Sequence, residues 1–269
     1  MKRIEKSEWN SFEKSDTNWV DMCRLLGIIS KKPIDQKILL EFRQLADKGK
    51  TLKDFGCPQV SKRGGHQDGW GIACLSEDRE VYRRSTVKAT EDPLYAETVK
   101  ELGSLVLPPF VLMAHLRRAA RLETVKEDYC EPFRRELNDK IIFFSYNGYI
   151  AEFGIKNGKI DSQVLFERLL EASATQQLSS SNFKKRMIEL KNSFAMEYPK
   201  RVSSLTFLLS NGEEMLAHRD SRQCKPYYSL HTTTNETSFV VCSEVLSSVS
   251  GNWRLLRNNE TVVSSVHKL

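Results

Sequence analysis

The sequence predicts an α+β fold in a single domain. Apolar, β-rich segments stand early in the chain (Cys23–Ile29) and throughout its last third, and helical periodicities lie between them. No internal repeat and no clear linker divides the chain. In order, the strand at Cys23–Ile29 precedes a helix from about Asp35 to Lys48. A glycine- and charge-rich loop, 63–69, leads to an apolar strand at Trp70–Leu75, with which Glu80–Arg84 pairs. Asp92-Pro93 starts a helix that runs to Leu102, because proline at the first helical position gives up an N–H that has no partner there anyway. Pro108-Pro109 stops the chain before a buried strand, Phe110–Arg117. Ile141–Phe144 is another strand, ending in Ser145-Tyr146-Asn147-Gly148-Tyr149. Asp161 opens a helix whose Val164, Leu165, Leu169 and Leu170 share one face. A polar stretch then leads to a helix at about 182–197. Short strands follow at Leu205–Ser210, Glu214–Arg219, Tyr227–Thr232, Ser238–Cys242 and Thr261–Val266, and Asn211-Gly212 reads as a two-residue hairpin turn.

Bulk composition narrows the function classes. Hydrophobic residues make up 40% and charged residues 28%, which suits a soluble globular chain. A net charge of +6 over 269 residues, without a dense basic run, argues against a nucleic-acid surface. No apolar run reaches the roughly 20 residues of a membrane span. Residues 1–21 lack the apolar centre of a secretory signal and carry too many acids for a transit peptide, so a cytoplasmic location is expected. The six cysteines (23, 57, 74, 130, 224, 242) form no CxxC pair, so no structural zinc site is expected. All are expected to be reduced, with Cys74 and Cys242 as small core residues.

Chemistry enters at Met22-Cys23-Arg24, where a cysteine follows a methionine at the start of a strand. Removing what precedes Cys23 would free an α-amino group with a pKa of roughly 8, a base attached to its own nucleophile. The alternative is a small core residue at a strand start. Asn147-Gly148 offers an amide side chain and a backbone N–H to a developing oxyanion, or is simply a turn. Arg117 and Arg118 end an apolar strand, where alternation turns only one inward if the strand continues. The other reading makes both solvated edge arginines. Asp161 suits both a helix N-cap and a carboxylate for a substrate ammonium. His66 sits in a loop that could cover a substrate, or is incidental there. His115 reads as a core histidine and Ser243-Glu244 as packing or rim.

Taken together these segments resemble a stand-alone class II glutamine amidotransferase, a member of the N-terminal-nucleophile hydrolases. The resemblance rests on Met22 to Gly27, His66 to Ala73, Ala114 to Ala119, Tyr146-Asn147-Gly148, Asp161-Ser162, Ser203 to Arg219, Ser243-Glu244 and Trp253, in that order. It implies a four-layer αββα sandwich with an extension or propeptide at 1–22 and the amidotransferase domain at 23–269. It also implies cleavage of the side-chain amide of glutamine or a γ-glutamyl compound. In that scheme Cys23 attacks, Asn147 and Gly148 hold the oxyanion, and Arg117, rather than Arg118, grips the α-carboxylate. Asp161 receives the α-ammonium, and His66 is placed with the substrate-binding residues. No metal or cofactor is required. The substrate is a small molecule, and a separate synthase could accept the ammonia, since no acceptor domain is expected. The sequence departs from the family's common pattern at Tyr146 (often His), Ala120 (often a small polar residue) and Gln163 (often Glu). These departures leave a second reading, a catalytically silent binding or regulatory protein that retains its extension.

Overall fold

A computed structural model describes residues 23–58, 64–151, 157–173 and 202–269. The first strand, β1 (Arg24–Ser30), is buried along its whole length because it lies inside a seven-stranded sheet. Its neighbours there are β2 (Trp70–Ser76), β3 (Glu80–Ser85), β4 (Phe110–Leu116), β9 (His231–Thr234), β10 (Ser238–Cys242) and β11 (Arg254–Leu255), in the order β11-β9-β10-β1-β4-β2-β3. A second, five-stranded sheet contains β5 (Phe133–Leu137), β6 (Lys140–Asn147), β7 (Thr206–Ser210), β8 (Glu214–Arg219) and β12 (Glu260–Ser265), ordered β12-β8-β7-β6-β5. Every pairing is antiparallel.

Strand alternation separates three apolar layers. Leu26 and Ile28 of β1 face a cluster with Leu39, Phe42 and Ala46 of α1 (Gln36–Lys48) and Val99 and Leu102 of α2 (Pro93–Leu105). Leu25 and Ile29, on the other face of β1, meet Phe143, Leu208, Met215 and Ala217 of the second sheet. Phe144, Phe207 and Leu216 pack against Leu165, Phe166 and Leu169 of α3 (Asp161–Ser173). The layers therefore run helices, sheet, sheet, helix, the αββα sandwich that the resemblance implies. Gly27 lets the two sheets approach, since a β-carbon there would lie 2.3 Å from Met215 Sδ.

Helix starts follow local chemistry. Asp35 caps α1 by accepting from Lys37 N at 2.9 Å, and Asp92 caps α2 by accepting from Leu94 N at 3.0 Å. Asp92 also accepts from Trp70 Nε1, tying α2 to β2.

Several expectations are corrected. The strand β5 (FRREL) escaped the sequence reading, because an edge strand so rich in charge carries little apolar alternation. Tyr227 and Tyr228 precede a strand that begins only at His231. Three residues, Asn211–Glu213, separate β7 from β8, with Asn211 Oδ1 accepting from the backbone N–H of Glu213 and Glu214. The expected helix at 182–197 lies outside the described residues. Not all cysteines are reduced: Cys57 and Cys224 form a disulfide. Their loops, 167 residues apart in sequence, are brought together by a cluster of Leu52, Phe55, Tyr149, Tyr227 and Tyr228, a proximity that no spacing rule reveals. Among the described residues no helix is long and apolar enough to cross a membrane.

Candidate active site

One cleft, about 590 Å³ counted to its open mouth, collects most of the sequence-predicted site. Cys23, Arg117, Arg118, Glu131, Gly148 and Asp161 all line it. Cys23 precedes β1, and the β1–β4 register pairs Arg24 with Leu116, which places the thiol beside the chain leaving β4. Arg118 N–H donates to Cys23 Sγ at 3.4 Å. Burial, then the nearby Glu131, pushes the thiol up to about 12, so it rests protonated and needs a base to attack.

Arg24 and Glu244 fix the start of β1. The Arg24 guanidinium is buried, donates to Cys23 O at 3.0 Å and to Glu244 Oε1 at 2.7 Å, and lies 4.8 Å over the Tyr227 ring. Ser243 Oγ accepts from Leu25 N at 2.9 Å. The Ser243-Glu244 pair, read from sequence as packing or rim, thus holds the residue next to Cys23.

Arg117 and Arg118 are both buried, and strand alternation does not separate them because β4 ends at Leu116. They differ in partners. Arg118 faces Asp68 at 3.7 Å, whereas Arg117 touches Thr124 Oγ1 through Nη2 at 3.4 Å and leaves Nη1 without a partner among the described residues. The segment is held by the glycine-rich loop: Arg117 N–H donates to Gly69 O, Asp68 N–H to Arg117 O, and Ala119 N–H to Asp68 Oδ2. His66, from the same loop, is buried against the end of α1, where its N–H donates to Ala46 O, and it does not line the cleft.

The third wall comes from the end of β6 and from α3. Gly148 is required by close approach, since a β-carbon would lie 2.3 Å from Ser204 O and 2.4 Å from Tyr146 Oη. Gly148→Ala is therefore expected to lower stability by about 1–3 kcal/mol, read as a fall in the chemical-denaturation midpoint. Tyr146 Oη donates to Ser204 O at 2.6 Å, so the residue that departs from the common His is a fastener between β6 and the chain entering β7. Asn147 shares a face of β6 with Phe143 of the inter-sheet core. It is fully buried, does not line the cleft, and has no partner for either side-chain amide atom among the described residues. Such a group costs about 1–3 kcal/mol unless a ligand satisfies it. Asp161, at the first residue of α3, accepts from Ile150 N at 2.9 Å, and burial raises it to about 6.

Glu131 is the residue that sequence reasoning missed. The strand β6 runs past the last β5 pair, Phe133↔Phe144, leaving its edge uncovered. The Glu131 carboxylate takes the Tyr146 N–H that β5 leaves unpaired, and the Ser162 hydroxyl also hydrogen-bonds it. His115 Nε2 stands 3.5 Å from the same carboxylate. Burial raises Glu131 to about 8 and lowers His115 to about 3, so at pH 7 both are predominantly neutral. A linear motif such as Cys130-Glu131-Pro132-Phe133 carries no signal of this; only strand pairing does.

These pKa values set a sign for stability. Between pH 6.5 and 8 the native state holds a proton on Glu131 that the unfolded chain has lost, so stability falls as pH rises. His115 acts oppositely, but the unfolded imidazole is already half deprotonated at pH 6.5, so its opposing slope is at most about half that of Glu131 and fades by about pH 7.5. The melting temperature should therefore decline from pH 6.5 to 8, and Glu131→Gln should flatten that slope.

The sequence profile of "Glutamine amidotransferases class-II" matches residues 22–243. The chain belongs to that family. An uncharacterized protein of Methanocaldococcus jannaschii is 26% identical over 216 residues, 75% of this chain and 52% of the relative, so the chain spans about half of that curated protein's length. Among solved structures, the allosteric regulatory enzyme of purine biosynthesis superposes with a TM-score of 0.63 at 17% identity, covering 91% of this chain and 48% of that one. A glutamine aminotransferase class-II domain protein from Silicibacter pomeroyi gives 0.54 at 16%, covering 91% and 96%. At these identities the structures show a shared fold.

Proposed function

We propose that this amidotransferase hydrolyses the side-chain amide of glutamine or a γ-glutamyl compound through Cys23, working as an N-terminal residue. The observation that carries the reading is one cleft holding a buried thiol, an arginine with an unpartnered Nη1, and a carboxylate at a helix start. An amino-acid head fits that set, with its α-carboxylate on Arg117 and its α-ammonium on Asp161. The thiol of Cys23 passes its proton to its own α-amine and attacks the amide carbon. In this reading the Gly148 N–H, on the cleft wall, meets the tetrahedral oxyanion, and the Asn147 amide, buried behind that wall and outside the lining of the empty cleft, turns toward it as charge develops. The protonated amine then delivers the proton to the departing nitrogen, and water releases glutamate from the thioester.

Residues 1–22 belong to this reading as a segment removed before activity. The test compares protein beginning at Cys23 with protein beginning at Met1, following glutamate release from L-glutamine and from γ-glutamyl amines. Activity confined to the Cys23 form supports the reading. Equal activity of the two forms removes the α-amine from the mechanism. If neither form is active but the Met1 form binds glutamine, the silent binding protein is favoured, a reading for which Tyr146, Ala120 and Gln163 speak.

A further inference from the structure

Two carboxylates line a cleft whose arginine seeks an anion, and the mechanism above uses only one of them. We propose that Glu131 and Asp161 together receive the α-ammonium of the substrate, so that the site selects ligands with a free amino-acid head. The inference rests on the cleft being the substrate site. Glu131 comes from the segment before β5 and Asp161 from the start of α3, where Ser162 also hydrogen-bonds Glu131, and both carboxylates line the cleft. The unpartnered Nη1 of Arg117, which lines the same cleft, supplies an anion site for the other half of that head.

The groups facing Glu131 define its state in the empty cleft. Cys23 reaches it from just before β1, His115 from β4, Arg117 from just after β4, the Tyr146 N–H from β6, and Asp161 and Ser162 from α3. Arg117 draws Glu131 toward its ionised form and Asp161 opposes that, while burial outweighs both and keeps a proton on Glu131 at pH 7. Cys23, near 12, and His115, near 3, hold fixed neutral states at that pH. An ammonium placed between the two carboxylates reverses the balance, because a nearby cation favours the ionised acid. Glu131 then gives its proton to solvent, and the bound head sits among two anions and Arg117. A ligand without the α-amine triggers no such release.

The experiment uses Cys23→Ala protein, which binds without turnover. L-glutamine and its des-amino analogue, the monoamide of glutaric acid, are titrated calorimetrically at pH 7 in two buffers of different ionisation enthalpy. Release of at least about half a proton per glutamine is expected, from a group near pH 8 that ionises on binding, and none with the analogue. Adding Glu131→Gln should abolish the release and cut the preference for glutamine over the analogue at least tenfold. Absence of release with Glu131 intact overturns the proposal even if the Glu131→Gln protein fails to fold. An unchanged preference in Glu131→Gln also overturns it and leaves the cleft as the substrate site. If no glutamine or γ-glutamyl ligand binds at all, the substrate assignment itself falls, and the Glu131 proposal with it.

Discussion

Cys23→Ala is expected to lose amide hydrolysis by about 10⁴-fold or more while leaving the fold in place. The size follows from the chemistry: without a thiolate no acyl-enzyme forms, and only binding and the oxyanion donors remain. The fold should tolerate the change because alanine keeps the β-carbon, and the hydrogen bonds removed are two long contacts with Arg118, its N–H to Cys23 Sγ at 3.4 Å and Cys23 Sγ to its carbonyl at 3.8 Å. A net hydrogen bond contributes about 0.5–1.5 kcal/mol, so the melting temperature should move by no more than a few degrees. Steady-state glutamate release and a thermal melt on the same preparation check both parts. Retained activity would show that another group attacks. The other free cysteines, Cys74, Cys130 and Cys242, do not line the cleft.

Arg117→Lys should lower kcat/KM for glutamine at least tenfold, mainly through KM. A lysine keeps the charge but not the two-pronged contact, and a charge-assisted hydrogen bond contributes about 1.5–3 kcal/mol. Thr124 steers the fork through Nη2 and leaves Nη1 for the ligand. Arg118→Lys tests the assignment from the other side. Arg118 faces Asp68 and is buried, so its replacement should lower stability more than it raises KM. A larger KM effect at Arg118 than at Arg117 would move the clamp one residue along the chain.

The fold was legible wherever local chemistry and burial agree. Asp35 and Asp92 announce helix starts because their side chains cap the first turn, and the Phe110–Leu116 run reads as a strand because both its faces are covered. The four layers came from resemblance, and the division of β1 residues between two apolar clusters bears them out. Cys23, Arg117, Gly148 and Asp161 were legible as a set and share one cleft. What was hidden depends on contacts between distant segments. Glu131 matters because β6 outruns β5, Glu244 because it meets Arg24 across 220 residues, and Cys57 because Cys224 is folded against it. His66 failed in the other direction: a glycine-rich loop suggested a mobile cover, but the histidine is buried against α1.

The most direct test of the Cys23 mechanism is covalent capture with a glutamine analogue that carries a diazoketone in place of the amide. Such a ligand needs the amino-acid clamp to bind and a thiolate to react, and digestion followed by mass spectrometry locates the bond it forms. The expected result is one adduct per chain, on Cys23, in a peptide whose first residue is Cys23, with L-glutamine protecting against it. An adduct on another residue, or on a Cys23 still joined to Met22 in protein that hydrolyses glutamine, would contradict the account.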